Sequence, residues 1–350
     1  MATQMSKQWT LETQNAFDGL QFKEVPIPTS VGEHEVLVEI RAASLNYRDI
    51  VLAKGSLGLE ITPGIVPGSD GAGIVKLIGS SISKFQVGDK VCTHMVPSIP
   101  DNDLPTYQHI TNGMGEHVDG TIREFGVFHE SCLMHMPNNL SFEQASTLTC
   151  SALTAWNGLF GLKGREVKKG DWVLTQGTGG VSIAALQFAV ALGATVVATT
   201  SSDEKAAPLK ALGASHVINY RTHPKWGESA KQLTPNAVGF DHVVDVGGHT
   251  TLAQSLKAVR IDGVITAAGL VGGMESEETP LLLDVLWNIC TVRGVLLGTR
   301  KMFRDMNMFI DKYKVEPAVD DEIFRLEDAT GAYKKLEAQK HFAKVIIKMI

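Results

Sequence analysis

Hydrophobic and polar positions alternate in two different ways along this chain. Between residues 20 and 130, short β-branched runs such as EVLVEIRAASLN and GAGIVKLIG are separated by Gly, Pro and Asp, which is typical of strands and turns. Between residues 171 and 300, short apolar runs alternate with amphipathic stretches of helical length. This second pattern predicts βαβ units, and therefore a parallel sheet with helices on both faces.

The predicted strands of the second region are WVLTQ, TVVATT, HVIN, DHVVDV, GVITAAG and TVRGVLLG. The predicted helices between them are SIAALQFAVALG, DEKAAPLKALG, WGESAKQLT, TTLAQSLKAV and LLLDVLWNI. Six such strands suffice for one dinucleotide-binding sheet. We therefore predict an α/β protein that contains a doubly wound parallel sheet.

The residues before and after this sheet in the sequence are predicted to form a second domain together. Ser141 and Gln144 form an S-x-x-Q capping box, so we expect a helix to begin there and to carry the chain between the domains. The C-terminal region returns to a helix, EDATGAYKKLEAQ, and a closing strand, KVIIKMI. Because the sheet is complete without them, we assign residues 1–145 and 301–350 to one domain and residues 146–300 to the other.

Composition and charge narrow the function. Hydrophobic residues are 44% and charged residues 20% of the 350, which excludes a disordered or fibrous protein. The net charge is −6 and no basic block is present, so we expect no nucleic-acid and no membrane partner. The N-terminus lacks the apolar core of a secretory signal, and the four cysteines contain no C-x-x-C pair. We therefore expect a cytoplasmic protein without disulfides or structural zinc.

A glycine-rich turn follows the first predicted strand of the sheet. Glycines permit a tight turn and let the backbone approach a pyrophosphate, which the N-terminus of the next helix attracts. Serine stands where the usual fingerprint has its third glycine, a position that needs only a small side chain. Because strand, turn, helix and second strand follow in order, we predict a dinucleotide site rather than a turn without a ligand. The turn reads G-x-G-x-x-S, in Gly177, Thr178, Gly179, Gly180, Val181 and Ser182.

The end of the second predicted strand bears on the choice of cofactor. A site that prefers NAD has a carboxylate about 20 residues after the turn, where it binds the ribose 2′-hydroxyl. Asp203 falls near that position, but it follows the strand, and we expect it to cap the next helix. The strand end carries Ser201, and Lys205 follows; hydroxyls with a cation suit a 2′-phosphate. These residues favour NADPH, unless Lys205 is only a solvated helix residue.

Seven segments resemble the medium-chain dehydrogenase/reductase superfamily along nearly the whole chain, and above all its zinc-independent, quinone-reductase-like branch. The resemblance implies a GroES-like β domain, completed by the C-terminal segment, beside a Rossmann domain, with the active site between them. Lys205 and Tyr220 match residues that hold the adenosine 2′-phosphate in NADPH-using quinone reductases. The segments are AASLNYRDIVLAKG, PGSDGAGIV, VGDKV, TLTCSALTAWNGL, QGTGGVSIAALQFA, KALGASHVINYR and HFAKVII.

The resemblance also implies further contacts with the cofactor. Thr154 matches the threonine that packs on the nicotinamide ring. Gly269 and Leu270 lie at the strand end that flanks the nicotinamide ribose. Lys344 occupies the place of a basic residue that approaches the pyrophosphate. All four positions are expected to contact the cofactor.

Zinc-dependent members of the superfamily bind their catalytic metal through a Cys, a His-Glu pair and a second Cys. These positions match Asn46, Ser69-Asp70 and Cys150 here, so only Cys150 keeps a ligand type. One thiol cannot hold a zinc that requires three protein ligands. Residues 93–131, where the structural zinc lobe would fall, contain no cysteine. We predict that the protein binds no metal.

Without zinc, conjugate reduction is chemically easier than reduction of a simple carbonyl, because no Lewis acid polarises the oxygen. Hydride addition to the β-carbon of an enone, enal or quinone spreads charge over an enolate, which hydrogen-bond donors can stabilise. We predict Tyr47 as the donor to the carbonyl oxygen or the proton source for the α-carbon, and Asn46 as an orienting amide. Alternatively, Tyr47 packs in the wall with its hydroxyl bonded to backbone, and Arg48 and Asp49 form an ion pair that fixes the loop.

Three functions stay open. We favour an NADPH-dependent reductase of activated C=C bonds or quinones over a zinc-free alcohol dehydrogenase or ketone reductase acting on C=O. The third is an NADPH-binding protein without turnover. The substrate is expected to be a small electrophile bound by residues 47–60, 95–122 and 270–302, loops that vary on a fixed scaffold. The segment TVRGVLLG could pair across a two-fold axis and form a homodimer.

Overall fold

The computed structural model describes residues 4–273 and 279–349. The chain forms two compact units, which we call unit 1 and unit 2. Unit 1 is Met1–Ser151 together with Thr299–Ile350, and unit 2 is Ala152–Gly298. No helix within the described ranges combines the length and the apolarity needed to cross a membrane.

Both units contain strands and helices. The strands in chain order are β1 (Met5–Leu11), β2 (Leu20–Pro26), β3 (Glu35–Ser44), β4 (Asp70–Ile78), β5 (Lys90–Thr93), β6 (Phe125–His129), β7 (Leu133–His135), β8 (Trp172–Gln176), β9 (Thr195–Thr200), β10 (His216–Asn219), β11 (Phe240–Asp245), β12 (Val259–Ala267), β13 (Thr291–Gly294), β14 (Ile323–Arg325) and β15 (Ile346–Lys348). The helices are α1 (Tyr47–Lys54), α2 (Tyr107–Thr111), α3 (Phe142–Ala145), α4 (Leu153–Phe160), α5 (Gly180–Leu192), α6 (Ala206–Ala211), α7 (Trp226–Lys231), α8 (Leu252–Ala258), α9 (Leu282–Asn288), α10 (Arg300–Tyr313) and α11 (Ala329–Glu337).

Unit 1 is built on a mainly antiparallel sheet in the order β14-β15-β3-β4-β5-β7, and β6 also pairs with β3. β6 pairs with the first half of β3, whereas β15 pairs with its last three residues, where Ile346 lies opposite Ser44. The Leu45 N–H extends this pairing with a 3.0 Å hydrogen bond to the Val345 carbonyl. The C-terminal strand therefore lies beside the residues that lead into α1.

Residues that follow unit 2 in the chain complete the core of unit 1. Helix α10 places Phe303, Met306 and Ile310 on one face, at the spacing of an amphipathic helix, and all three are fully buried. Tyr333 of α11 is also fully buried, and its ring centroid lies 5.4 Å from that of Phe17. The C-terminal segment is thus an integral part of this unit.

Unit 2 contains the predicted parallel sheet. The six strands lie in the order β10-β9-β8-β11-β12-β13, and every neighbouring pair is parallel. Numbered within the sheet, this order is 3-2-1-4-5-6, so the predicted doubly wound fold is confirmed. The strand order reverses between β8 and β11. In such sheets, ligands bind at the carboxyl ends of the strands around this reversal.

The core of this sheet consists of apolar residues such as Val197, Val243 and Ile265, which are fully buried. A parallel sheet is covered on both faces, so its strands have near-continuous apolar runs. Three strands differ in their bounds from the prediction. β11 is shifted by one residue, β12 begins earlier, at Val259, and ends at Ala267, and β13 ends at Gly294. The element types nevertheless agree along the sheet.

The capping box predicted at Ser141 is confirmed. The Ser141 hydroxyl accepts a 3.2 Å hydrogen bond from the Gln144 N–H, and the Gln144 side-chain oxygen accepts one of 3.0 Å from the Ser141 N–H. The prediction that one helix continues from there between the domains is wrong. Helix α3 ends at Ala145, and a π-helical turn at Leu148–Ala152 precedes α4.

Two hydroxyl side chains explain why α3 ends so early. Ser146 donates a 2.8 Å hydrogen bond to the Glu143 carbonyl, and Thr147 donates one of 2.7 Å to the Gln144 carbonyl. Ser and Thr side chains that bond to nearby carbonyls compete with the helical backbone. The π-helical turn that follows carries Cys150 and Ser151.

Candidate functional site

The glycine-rich turn leaves open space at the carboxyl end of β8. Gly177 has a φ of +76°, in the left-handed region that favours glycine. A Cβ atom added at Gly177 or Gly179 would meet no protein atom within 4 Å. Internal packing therefore gives no reason for the missing side chain at Gly179, whereas close approach of a ligand does. The turn fits the pyrophosphate of a dinucleotide.

Helix α5 begins directly after this turn. Its N-cap, Gly179, has no side chain that could bond the N–H groups of the first turn. Such N–H groups and the partial positive charge of a helix N-terminus attract a phosphate. Ser182, at the position of the third glycine, is buried, and its hydroxyl donates a 2.5 Å hydrogen bond to the Gln176 carbonyl. This serine ties the helix to β8 and fixes the turn.

The residues predicted to bind a 2′-phosphate come together at the carboxyl ends of β8, β9 and β10. The Lys205 ammonium donates a 3.3 Å hydrogen bond to the Thr178 hydroxyl of the turn. The Tyr220 N–H bonds to the Thr200 carbonyl at 2.9 Å, which brings Tyr220 beside Ser201. Their contact with a cofactor stays a prediction.

Asp203 does not cap the helix after β9, so that prediction is wrong. Ser202 holds the N-cap position of the 3₁₀ turn that precedes α6. The Asp203 carboxylate instead accepts a 2.8 Å hydrogen bond from the Asn219 side chain. The reason is that Asn219 ends the neighbouring strand β10 and brings an amide donor within reach.

Thr154, Gly269 and Leu270 also lie in unit 2. The Thr154 hydroxyl donates a 3.2 Å hydrogen bond to the Leu296 carbonyl. A Cβ atom on Gly269 would lie 2.6 Å from the Val246 carbonyl oxygen, so the chain after β11 already requires glycine there. The Leu270 side chain is exposed. The cofactor contacts of these three residues stay predictions.

Sequence reasoning missed a buried polar network where the strand order reverses. Gln176 donates a 2.6 Å hydrogen bond to the Ser255 hydroxyl, which donates one of 2.6 Å to the Asp245 carboxylate. Asp245 also accepts from the Thr251 hydroxyl and the Gly248 N–H. The network joins β8, β11 and α8, and so fixes the strand that carries the glycine-rich turn. In the sequence, the polar residues Gln176 and Asp245 at the ends of two apolar strands could have indicated this network.

In unit 1, the segment predicted to be catalytic forms the start of α1. Asn46 is the N-cap and Tyr47 is the first helical residue. The Asp49 carboxylate accepts a 2.7 Å hydrogen bond from the Asn46 N–H and closes the turn. Asp49 is buried, and this burial raises its pKa to about 6. The turn therefore presents residues 46 and 47 from a fixed backbone.

Arg48 and Asp49 do not form the ion pair considered from the sequence. Arg48 pairs with the buried carboxylate of Glu116 and also donates to the Ile110 and Met114 carbonyls. Successive residues of a helix point in different directions, so Arg48 and Asp49 reach different partners. Arg48 thereby fastens to α1 the long loop that contains α2.

The side-chain amide of Asn46 is held at its oxygen and unpartnered at its nitrogen. Its Oδ1 accepts hydrogen bonds of 2.5 Å from Lys344 Nζ and 3.1 Å from Ser151 Oγ. Its Nδ2 is buried and has no acceptor among residues 4–273 and 279–349. A buried donor without an acceptor costs about 1–3 kcal/mol, so it is a place where a ligand or water is expected to complete the bonding.

Lys344 joins the same cluster through Asp70. Its side chain is only 5% exposed, and its Nζ lies 3.3 Å from Asp70 Oδ2. The buried Asp70 carboxylate also accepts from the Ser69 hydroxyl at 2.8 Å and from the Cys150 N–H at 3.3 Å. The sequence predicts that Lys344 contacts the pyrophosphate, whereas the structure gives its ammonium two partners within unit 1.

Tyr47 and Cys150 differ in whether their side chains can take part in chemistry. The Tyr47 side chain is 43% exposed, and its hydroxyl has no hydrogen bond to the described part of the chain. The alternative in which backbone satisfies this hydroxyl is therefore not observed. Burial raises the pKa of the Cys150 thiol to about 12, so the thiol is protonated at neutral pH and is a poor nucleophile.

The regions predicted to bind substrate are described in part. Residues 47–60 form α1 and the turns after it, and residues 95–122 contain α2. Of residues 270–302, residues 274–278 lie outside the described residues. Among residues 4–273 and 279–349, no three His, Cys, Asp or Glu side chains are grouped as a metal site requires.

A doubly wound sheet whose glycine-rich turn is open to a pyrophosphate defines a dinucleotide-binding protein. Two family models match the chain: the alcohol dehydrogenase GroES-like domain at residues 32–138 and the zinc-binding dehydrogenase at residues 180–312. A zinc-type alcohol dehydrogenase-like protein of Schizosaccharomyces pombe is 42% identical over 96% of each chain. The acryloyl-coenzyme A reductase of Sulfurisphaera tokodaii is 29% identical over 94% of this chain and 96% of its own.

Solved structures agree with these matches. A Sinorhizobium meliloti protein assigned as an alcohol dehydrogenase has a TM-score of 0.91 at 35% identity and is matched over 100% of both chains. An NAD-dependent alcohol dehydrogenase has a TM-score of 0.86 at 30% identity, over 98% of this chain and 100% of that one. The chain belongs to the medium-chain dehydrogenase/reductase superfamily, a family of nicotinamide-dinucleotide-dependent oxidoreductases, as the sequence predicted.

Replacing Asp49 with Asn should change how stability depends on pH. The carboxyl binds a proton more tightly in the folded protein, where its pKa is about 6, than at its ordinary value of 3.8. The contribution of this group to the free energy of unfolding therefore falls as the pH rises from 4 to 7, by up to about 3 kcal/mol. Asp49→Asn keeps an acceptor oxygen without the charge, so this fall should be absent in urea unfolding at pH 4.5 and 7.5.

Asp89→Asn is the matched control for this measurement. Asp89 accepts the equivalent hydrogen bond from the Gln86 N–H, but at the protein surface. Its replacement should leave the pH dependence as in the wild type. An Asp49→Asn protein whose unfolding varies with pH as the wild type does would contradict the assignment.

Proposed function

We propose that the protein is a zinc-independent, NADPH-dependent oxidoreductase that transfers a hydride to an activated C=C bond of an enone or enal, or to a quinone. The observation that carries this proposal is the unpartnered Nδ2 of the buried Asn46, the N-cap residue directly before the exposed Tyr47. Two neutral donors on one turn suit an oxygen atom on which negative charge develops. The substrate is a small electrophilic molecule.

The donor set at the positions that match zinc ligands does not fit zinc. The metal requires thiolate, neutral imidazole or carboxylate ligands that are available to it. The Asn46 oxygen and the Asp70 carboxylate already accept the Lys344 ammonium, at 2.5 and 3.3 Å. Burial also raises the pKa of the Cys150 thiol to about 12. Because the ammonium would repel a divalent cation, the proposed chemistry uses hydrogen-bond donors alone.

These donors define the proposed mechanism. A reduced nicotinamide supplies a hydride when it is bound, and Gly177, Gly179 and the first turn of α5 would hold its pyrophosphate. As the β-carbon of the substrate gains the hydride, negative charge spreads to the carbonyl oxygen. The Asn46 N–H donates to this oxygen, and the Tyr47 hydroxyl either donates to it or protonates the α-carbon. Solvent then restores the proton of Tyr47, whose side chain is exposed.

The preference for NADPH is supported at the end of β9. The Lys205 ammonium supplies positive charge beside the glycine-rich turn, and Ser201 and Tyr220 supply hydroxyls. A site for NAD needs a carboxylate for the ribose 2′-hydroxyl. Asp203, the carboxylate nearest in sequence to that position, accepts the side chain of Asn219 instead. NADH is the alternative, since one relative of known structure is NAD-dependent.

Lys205→Ala should raise the KM for NADPH about tenfold, because a charge-assisted bond to the 2′-phosphate is lost. The KM for NADH should stay within about twofold. Steady-state oxidation of both coenzymes measures the difference. Lys210→Ala removes an exposed lysine of α6, the helix that follows Lys205, and serves as the control. An equal loss with NADH would rule out a contact of Lys205 with the 2′-phosphate.

Two reactions are supported by the names of relatives. The acryloyl-coenzyme A reductase supports reduction of a conjugated C=C bond, whereas the alcohol dehydrogenases support reduction of C=O. The neutral donors favour the first reaction. An enolate spreads its charge over two atoms, whereas an alkoxide concentrates it on one and requires a stronger electrophile.

The wild-type protein should oxidise NADPH with 2-cyclohexenone and form the saturated ketone, as identified by gas chromatography. Formation of the allylic alcohol would show that it reduces the carbonyl instead. If enals, enones, quinones and ketones all leave NADPH unoxidised, the proposal is wrong, and binding of NADPH in the same protein would then identify a nucleotide-binding protein without turnover.

Tyr47→Phe should lower kcat with the best substrate about 10²-fold, the size expected for loss of one acid or donor. Binding of NADPH should be unchanged, since the hydroxyl serves the substrate. Tyr313→Phe is the control, because Tyr313 is a similarly exposed tyrosine that packs on Phe309 in α10. Unchanged turnover in Tyr47→Phe would remove Tyr47 from the mechanism.

We further propose that the protein forms a homodimer through the edge of unit 2. Strand β13 is the last strand of the sheet, and α9 precedes it. On α9, Leu282 is 87% exposed and Trp287 is 72% exposed. Apolar side chains beside an open strand edge are typical of an interface, and two copies related by a two-fold axis would cover both.

Replacing Leu282 and Trp287 together with Lys should convert two-chain particles into single chains, because four added charges would face each other across the interface. Light scattering after size-exclusion chromatography measures the mass. Val238→Lys, at an exposed apolar residue before β11, should leave the mass unchanged. A wild-type protein that elutes as a single chain would contradict the dimer.

A further inference from the structure

We propose that Lys344 and Ser151 are positioning residues, which hold the carboxamide of Asn46 so that its N–H group faces the substrate. The inference deepens the proposed function and rests on it, because it explains how the Asn46 donor is presented. It also replaces the contact with the pyrophosphate that the sequence predicts for Lys344. The role follows from the partners of the amide oxygen.

The partners of Asn46 leave one orientation of its amide. A lysine ammonium can only donate hydrogen bonds, so the atom 2.5 Å from Lys344 Nζ must be the amide oxygen. The Ser151 hydroxyl donates to the same oxygen at 3.1 Å. Rotation of the amide by half a turn would place its N–H group against these two donors. The N–H group therefore stays on the opposite side, where no described residue accepts it.

The position of Lys344 follows from the fold of unit 1. Strand β15 pairs with the end of β3, and the Leu45 N–H bonds to the Val345 carbonyl. This pairing brings Lys344 next to Asn46, although the two residues are 298 positions apart. Without the C-terminal strand, the amide oxygen would lose the stronger of its two donors.

Asp70 is the counter-ion of the buried Lys344 ammonium. A buried ammonium without a counter-ion is unfavourable by several kcal/mol. The Asp70 carboxylate lies 3.3 Å from Lys344 Nζ and is itself held by Ser69 and by the Cys150 N–H. The positive charge of Lys344 is therefore balanced by a carboxylate of the same unit. A lysine bound in this way serves orientation rather than attraction of a phosphate.

The test combines variants that remove each positioning contact. Ser151→Ala removes one donor without changing charge, and Ser151→Thr restores a hydroxyl. Asp70→Asn combined with Lys344→Met removes the other donor together with its counter-ion, so no unpaired charge is left. Ser146→Ala is the control, because Ser146 is a buried serine of the same segment whose hydroxyl bonds only to backbone.

The readouts are kcat with 2-cyclohexenone at saturating NADPH and the Kd of NADPH from the quenching of protein fluorescence. Ser151→Ala and the Asp70→Asn, Lys344→Met protein should each lose about tenfold in kcat, since a misoriented donor stabilises the transition state less. The Kd of NADPH should stay within about twofold in both. Ser151→Thr should recover most of the activity, and Ser146→Ala should match the wild type.

Asn46→Asp separates positioning from a general effect on the structure. An aspartate still accepts from Lys344 and Ser151 but has no N–H to donate, so kcat should fall about 10²-fold. If Ser151 acts only through this amide, Ser151→Ala should cause no further loss in the Asn46→Asp protein. A tenfold loss in both backgrounds would mean that Ser151 acts elsewhere, and the inference would be wrong.

Other outcomes distinguish the two proposals. If the Asp70→Asn, Lys344→Met protein binds NADPH tenfold more weakly but keeps the wild-type kcat, Lys344 contacts the pyrophosphate and its positioning role is overturned. If that variant does not fold, the Ser151 series decides alone. A wild-type protein that reduces no substrate refutes the proposed function, whereas an active wild type with a fully active Ser151→Ala refutes only the positioning.

Discussion

The contact of the Lys344 ammonium with Asn46 and Asp70 is the interaction on which the candidate catalytic site depends. It joins the start of α1, the start of β4 and the residues before β15, which are distant in sequence. A buried ammonium is tolerated only where a carboxylate compensates it. Asp70 does so, and the sheet of unit 1 holds both partners in place. The strand pairing that completes this unit therefore also sets the hydrogen bonding of the Asn46 side chain.

This contact also decides what kind of electrophile the site can offer. The ammonium and the carboxylate form a pair, so the positions that hold a divalent metal in zinc-dependent relatives present no strong excess of positive charge here. What is left for a ligand is the N–H group of Asn46 and the hydroxyl of Tyr47, both of them neutral. Neutral donors can stabilise an enolate, whose charge is delocalised, but an alkoxide, whose charge is localised on one oxygen, requires a stronger electrophile such as a metal ion. The chemistry proposed for the protein follows from this difference.

Local patterns predicted unit 2 well, because the periodicity of a strand or a helix can be recognised within a short stretch of sequence. The six apolar runs became the six strands, and the box at Ser141 and Gln144 capped a helix. Partners far apart in sequence could not be predicted in the same way. Arg48 has Asp49 as its neighbour in sequence, yet the fold brings Glu116 to it. Nothing local to residue 46 or to residue 344 indicates that the two side chains meet.

The two units share one principle, although the ligands that we propose for them differ. In each unit, residues that are bonded within the protein hold in place the hydrogen-bond donors for which we propose a ligand. In unit 2, Ser182 and the network around Asp245 fix a turn and a helix start whose N–H groups suit phosphate oxygens. In unit 1, Lys344 and Ser151 fix an amide whose N–H group suits a carbonyl oxygen. A protein that offers donors at both places favours ligands rich in acceptors, which a phosphorylated dinucleotide and a conjugated carbonyl compound both are.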